Sequence, residues 1–259
     1  MKLKLYQIDA FAKQVFEGNP AAICPLEKWL PDALMQKIAA ENNLSETAFF
    51  VVTDTGYHIR WFTPVCEVAL CGHATLAAAF VVFNFIETDK NEIRFNSKSG
   101  ELVVTKNAKM LEMNFPSQPP EPCVIPYSII NAFEVTPIAC FKSEDYIVIF
   151  ESEENVENAK PNMAMLSALD LRGVAITAQG KDYDFVSRFF APKYGIDEDP
   201  VTGSSFTQLI PYWAEKLVCK KLSAKQISKR GGEVQCTDEG DRVRIAGKAV
   251  QYLVGEIEV

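Results

Sequence analysis

Glu46, His73, Asp197, Glu198, Asp199 and Ser204 are the side chains best suited to proton chemistry in this chain of 259 residues, which holds only two histidines, His58 and His73. Glu46 stands between Ser45 and the mainly apolar run Thr47-Ala48-Phe49-Phe50-Val51-Val52. A carboxylate beside such a run is partly withdrawn from water. That raises its pKa toward the range in which one group both takes and gives a proton at neutral pH. The segment Asn43 to Glu46 reads equally as a loop with its charge in water. His73, with a reference pKa near about 6.5, becomes a proton carrier if a carboxylate lies close, although a histidine opening a helix is more often structural. Asp197, Glu198 and Asp199 stand before Pro200, and a solvated loop whose charge suits the dipole of the following helix accounts for them as well as chemistry does.

Two junctions are alike. Gly72-His73-Ala74 and Gly203-Ser204-Ser205 each lead into a largely apolar segment with helical spacing. A helix beginning there presents free backbone N–H groups and the positive end of its dipole, which suits a carboxylate or phosphate. A glycine in that place also serves as a plain tight turn. The seven cysteines include no C-x-x-C, and two histidines are too few for the usual zinc ligand pairs, so reduced thiols and no metal are expected.

Elements that would position these groups follow from the pattern. Lys2 to Ala10, Thr47 to Thr53 and Tyr57 to Thr63 read as strands, and Pro31 to Asn42 as a helix. Ala74 to Val81 is apolar all round, hence a buried helix. Glu92 to Asn96, Glu101 to Thr105 and Met110 to Phe115 are further strands. The proline-dense segment from Pro116 to Pro122 then reads as a linker. Beyond it the order returns: Tyr146 to Phe150, a helix over Asn162 to Leu169, strands at Val174 to Thr177 and Asp184 to Phe190, and an apolar helix through Leu209, Ile210 and Trp213. Phe62-Thr63-Pro64 matches Phe190-Ala191-Pro192, 128 positions on, and Gly72 matches Gly203, 131 positions on. An internal duplication follows, with domains at 1–116 and 117–259 and a ligand cleft between them.

The composition limits partners. Thirty-four acidic and 26 basic residues give a formal charge of −8. The one close basic group, Lys220, Lys221, Lys225, Lys229 and Arg230, is too small to track a nucleic-acid backbone. The longest apolar stretch, Ala74 to Phe85, is interrupted by Thr75 and Asn84 and is too short to span a bilayer. No signal-peptide pattern opens the chain. A cytoplasmic protein with a small-molecule ligand is the expectation.

The segments Asp9-Ala10-Phe11, Gly18-Asn19-Pro20-Ala21-Ala22, Ser45-Glu46-Thr47-Ala48-Phe49, Phe62-Thr63-Pro64 with Cys71-Gly72-His73-Ala74-Thr75-Leu76-Ala77, Glu198-Asp199-Pro200-Val201-Thr202-Gly203-Ser204 and Ser228-Lys229-Arg230-Gly231-Gly232 together resemble the PhzF-like phenazine-biosynthesis family. The resemblance covers essentially the whole chain. It implies an α/β (α+β) fold of the diaminopimelate epimerase type: two pseudo-symmetric domains, each a curled, mostly antiparallel sheet around a central helix, with the active site in the cleft between them. It implies a cofactor-independent isomerase that moves a proton between carbons of a small, cyclic carboxylic acid, and a homodimer. By motif position the catalytic set falls on Glu46, His73, Asp199 and Ser204. Substrate-binding positions fall on Asn19, Ser45, Gly72, Gly203 and Ser205. One departure is visible: the family often carries histidine where Phe206 follows Ser205 here. Two rivals stay open. A two-base racemase of the same fold needs a thiol at each junction, and Cys71 supplies one while Thr202 stands in the other place. A carboxylate-binding protein without catalysis is the second.

Overall fold

The computed structural model describes residues 1–259. In chain order the elements are β1 (Lys2–Ala10), β2 (Asn19–Leu26), α1 (Asp32–Asn42), β3 (Glu46–Thr53), β4 (Gly56–Phe62), β5 (Glu67–Val68), α2 (Gly72–Val81), β6 (Glu92–Ser97), β7 (Gly100–Asn107) and β8 (Met110–Pro116). There follow β9 (Glu121–Pro122), α3 (Tyr127–Ala132), β10 (Ala139–Lys142), β11 (Tyr146–Ile149), α4 (Glu153–Glu157), α5 (Met163–Ser167), β12 (Val174–Gln179) and β13 (Phe185–Ala191). The last are β14 (Ile196–Asp199), α6 (Phe206–Leu217), β15 (Lys221–Gln226), β16 (Gly232–Asp238), β17 (Arg242–Gly247) and β18 (Ala249–Glu258). No helix is long and apolar enough to cross a membrane.

The chain forms two compact units, Met1–Asn114 with Ala246–Val259, and Phe115–Ile245. The C-terminal domain expected at 117–259 is therefore shorter than anticipated, because β18 pairs antiparallel with β1 from Lys2–Glu258 to Ala10–Ala249 and so belongs to the first unit.

In the first unit β1 pairs antiparallel with β2, β2 parallel with β3, β3 antiparallel with β4, and β4 parallel with β6. Helix α2 packs against β1, β2, β3 and β18. Eight of its ten residues are buried, which is where an all-round apolar helix must lie. Its alanines let strands approach closely. Helix α1 covers a different core, in which Met35, Ile38 and Ala39 meet Leu26, Phe49 and Phe62. Asn43 ends α1 in the left-handed region at φ 48°, its N–H on the Ala39 carbonyl.

The second unit repeats this order. β10 pairs antiparallel with β11, β11 parallel with β12, β12 antiparallel with β13, and β13 parallel with β15. Helices α4 and α5 occupy the place of α1, and α6 that of α2. Asp145, with no exposed side-chain surface, is held by Arg172 through Nε–Oδ1 at 2.9 Å and Nη2–Oδ2 at 2.6 Å, and by Gln208 Nε2 at 2.7 Å. This network ties the first turns of α6 to β11.

Candidate active site

Three elements of the first unit converge on His73. Gly18, at φ +66°, turns the chain into β2 where an added Cβ would collide with the Ala10 carbonyl. The next residue, Asn19, is fully buried, and its Nδ2 lies 3.3 Å from His73 Nδ1. The side chain of Glu46, first residue of β3, is 12% exposed and places Oε2 3.2 Å from His73 Nε2. Cys71, the residue before α2, puts Sγ 3.5 Å from His73 Nδ1. The parallel pairing of β2 with β3 sets Ala21 against Glu46, which brings Asn19 and Glu46 to the same end of the sheet.

The two ring nitrogens face different groups: Asn19 Nδ2 and Cys71 Sγ border Nδ1, and Glu46 Oε2 lies across from Nε2. Burial pushes the His73 pKa down from 6.5 to about 3, so the imidazole is neutral at physiological pH. Glu46 therefore has an uncharged imidazole as its neighbour, 3.2 Å away.

The first turn of α2 contains no acidic residue, and no side chain caps it. Its first helical bond runs from Thr75 N–H to the Cys71 carbonyl, and the Thr75 hydroxyl donates to the same oxygen at 2.6 Å. The N–H groups of Gly72, His73 and Ala74 precede that bond, at the positive end of the helix. The ligand-type atoms of Glu46, Cys71 and His73 lie within 4.8 Å of one another. Thiol and carboxylate nevertheless border different ring nitrogens, which suits a hydrogen-bonded relay better than one chelated ion.

The second junction is built differently. Gly203–Ser205 forms a 3₁₀ turn, and α6 starts only at Phe206. Asp199, Glu198 and Asp197, read from the sequence as a solvated loop, form strand β14 on β13. Glu198 is not loose in water; it takes Arg188 Nε at 2.7 Å and Nη2 at 3.1 Å. Asp199 Oδ2 accepts from the Thr202 hydroxyl at 2.6 Å, so the residue in the place of Cys71 is engaged with that carboxylate. Ser205 is buried with its hydroxyl on the Thr202 carbonyl at 2.9 Å, and Thr207 donates to the Ser204 carbonyl at 2.7 Å. Phe206 is fully buried beside Phe185, so the position where histidine is common in the family is core here.

Sequence reasoning passed over Gln226. Fully buried on β15, it accepts from Thr202 N–H at 2.9 Å and donates to the Asp199 carbonyl at 2.6 Å, bracing the junction loop. Nothing in the local pattern singles out a glutamine 24 positions beyond the loop that it holds.

The family model described as phenazine biosynthesis-like protein matches residues 8–255. An uncharacterized isomerase of Pseudomonas aeruginosa is 47% identical over 259 residues, covering all of both chains. The crystal structure of a phenazine biosynthesis protein of the PhzF family from Enterococcus faecalis superposes with a TM-score of 0.98 at 46% identity, again over the full length of both. A predicted epimerase of Pseudomonas aeruginosa, 19% identical, shares the fold with a TM-score of 0.77 over 99% of each chain.

Proposed function

Since this chain belongs to the PhzF-like phenazine-biosynthesis family, we propose that it is a cofactor-independent isomerase in which Glu46 moves a proton between two carbons of a small cyclic carboxylic acid. The observation that carries the reading is the buried pair of Glu46 Oε2 and His73 Nε2, 3.2 Å apart, with Asn19 fixing the ring from behind. An uncharged imidazole brings no positive charge to Glu46, and in this reading Glu46 takes the proton from carbon.

The C–H bond adjacent to the unsaturated system breaks and its proton passes to Glu46. The electron pair spreads through the conjugated system onto the substrate carboxylate. Glu46 then returns the same proton to a second carbon, so no atom or electron is gained or lost. Charge that develops on the carboxylate during the reaction is met by the N–H groups of Gly72 and the following residues at the start of α2. Ser45, beside Glu46, completes the substrate positions assigned to the first unit. By family position Asp199 and Ser204 serve the same reaction, Asp199 orienting the mobile proton and Ser204, with Gly203 and Ser205, the substrate anion. Relatives named isomerases support the reaction class.

The test uses a panel of cyclic dihydroaromatic carboxylic acids in D₂O, followed by proton NMR. Wild type shifts a double bond in at least one acid, while Glu46→Gln loses activity by about 10²- to 10⁴-fold. Cys71→Ala keeps most of its rate. Loss of activity in Cys71→Ala, with exchange of an α-hydrogen in an amino acid, would establish the two-base racemase instead. Stabilisation of wild type and Glu46→Gln alike, with no product from any acid, would establish a binding protein.

A homodimer in the cytoplasm completes the proposal. β18 exposes Tyr252, Leu253 and Val254, and Phe16, itself exposed, packs edge-on to Tyr252 at 5.7 Å. A clustered apolar surface of this kind suits a second copy. Leu253→Asp should shift sedimentation from dimer toward monomer.

A further inference from the structure

Arg60 of β4 grips Glu67 of β5 with two parallel bonds, Nε to Oε1 at 2.8 Å and Nη2 to Oε2 at 2.9 Å, and lies over the Phe62 ring at 5.2 Å. In the second unit Arg188 of β13 grips Glu198 of β14 through the same atoms, at 2.7 and 3.1 Å, and lies over the Phe190 ring at 5.1 Å. Each arginine turns its third nitrogen to the helical layer. Arg60 Nη1 donates to Asp32 at the start of α1, and Arg188 Nη1 donates to the carbonyls of Val156, Glu157 and Ala159 at and just past the end of α4. All four side chains of the two pairs are at most 24% exposed, so water screens them far less than it does a surface pair.

The two clamps are one device written twice. Arg188 and Phe190 stand 128 positions beyond Arg60 and Phe62, and Glu198 stands 131 beyond Glu67, the offsets that relate the strand ends and the junction glycines. Strand pairing agrees, with Trp61 opposite Val68 and Phe189 opposite Asp199. The segment inside the clamp is three residues longer in the second unit, where the 3₁₀ turn Pro192–Tyr194 lies, yet the grip is the same. Beyond the glutamate the length is fixed: Gly72 follows Glu67, and Gly203 follows Glu198, by five positions. The groups assigned to chemistry are not duplicated. Val174, 128 positions beyond Glu46, opens β12 as Glu46 opens β3, and Val68 holds the place of Asp199. What the units share is an anchor at a constant distance before the central helix.

We propose that Arg60 with Glu67 and Arg188 with Glu198 are positioning residues: each clamp fixes the loop that ends at its junction, and so holds Gly72 and His73 in the first unit, and Asp199 and Ser204 in the second, in place for proton transfer. A bidentate guanidinium–carboxylate pair fixes direction as well as distance, which a loop of small residues cannot do for itself. Successive side chains of a strand point to opposite faces, so Glu198 seated on Arg188 leaves Asp199 on the other face, where it accepts from the Thr202 hydroxyl at 2.6 Å. The role in turnover rests on the isomerase reading; the hold on the loops rests on the bonds alone.

Amide-resolved hydrogen exchange of the full chain by NMR tests this. In Glu67→Ala the Thr75 amide, bonded to the Cys71 carbonyl at 3.2 Å, should lose protection by at least about tenfold, while the Thr202 amide, bonded to Gln226 at 2.9 Å, and the Ser205 amide keep theirs. Glu198→Ala should do the reverse. Glu67→Gln keeps one acceptor oxygen for Arg60 and should lie between wild type and Glu67→Ala, which preserves the test where the alanine variant does not fold. Lys98→Ala removes an exposed partner of Glu67 and leaves the Arg60 grip, so Thr75 should exchange as in wild type. In the isomerase assay kcat should fall about tenfold to a hundredfold in both alanine variants, with KM changed less, because the substrate still binds to a displaced catalytic group. Thr75 protection unchanged in Glu67→Ala, losses of equal size at both junctions, or kcat preserved where the junction has loosened would each overturn the proposal. A wild type inactive on every acid would overturn the isomerase reading instead, and the exchange pattern would still decide whether the clamps hold the junctions.

Discussion

Burial of one imidazole ties the stability of the first unit to pH. The folded His73 has its pKa lowered to about 3, against 6.5 for the exposed group. Between those values the unfolded chain takes up a proton that the folded chain refuses. Stability is therefore complete above about pH 6.5 and falls as the pH drops, by about 1.4 kcal/mol for each pH unit. Urea unfolding from pH 7 to pH 4.5 should show this slope, and His73→Gln should remove most of it. A slope identical in the two proteins would mean that the ring is reached by solvent or proton-shared with Glu46. Of the site itself, Glu46 and His73 are legible because their neighbours are distinctive and short motifs surround them. Their contact is not, since it spans 27 positions and rests on the parallel pairing of β2 with β3. Asn19 likewise reads as a substrate-binding position from its motif, whereas its Nδ2 faces Nδ1 of the histidine 54 positions away.

Among the elements, α6 shows how a helix tolerates an interior proline. Pro211 has no N–H for the Thr207 carbonyl one turn earlier, and that oxygen is taken instead by the backbone N–H of Gln118 at 3.0 Å. The Thr207 hydroxyl oxygen also lies 2.7 Å from Gln118 Oε1. The orphaned acceptor thus pins the proline-rich segment that reads from the sequence as a linker. Gln118→Pro removes the donor and leaves the carbonyl unpaired, which should cost about 1–3 kcal/mol in urea unfolding. Gln118→Ala keeps the backbone donor, so it should cost less. An equal loss in both would locate the effect in the side chain. Apolar periodicity finds α6 through Leu209, Ile210 and Trp213, all buried, but says nothing of where its broken bond is repaired. β2 escapes the same kind of reading because Pro20 and Pro25 punctuate it. The acidic run before Pro200 reads as loop because charge outweighs a strand of only four residues, and Arg188, which satisfies Glu198, comes from the neighbouring strand.

At the scale of the whole molecule the duplication is written in the order of strand pairings. Antiparallel, parallel, antiparallel and parallel steps recur in each unit around one buried helix. The sequence signals that repeat because both copies keep a Phe-x-Pro strand end and a glycine before the helix. It does not signal the return of the last strand to the first unit. The run Ala249 to Glu258 has the alternation of a strand and no mark of its partner, which lies more than two hundred positions earlier. β18 forms the outer ladder on β1 and also touches α2, the helix that carries His73. Removing residues 249–259 therefore strips from β1 the ladder that β18 makes along it. Hydrogen exchange followed by mass spectrometry should show amides of β1 and β2 losing protection by at least about tenfold, while those of β11, β12 and β13 stay as they are. The isomerase activity proposed above should fall with β1 and β2, because Asn19, which opens β2, contacts the His73 ring. Protection unchanged in β1 would show that β18 is an appendage, and uniform loss across both units would show that the chain unfolds as a single cooperative body.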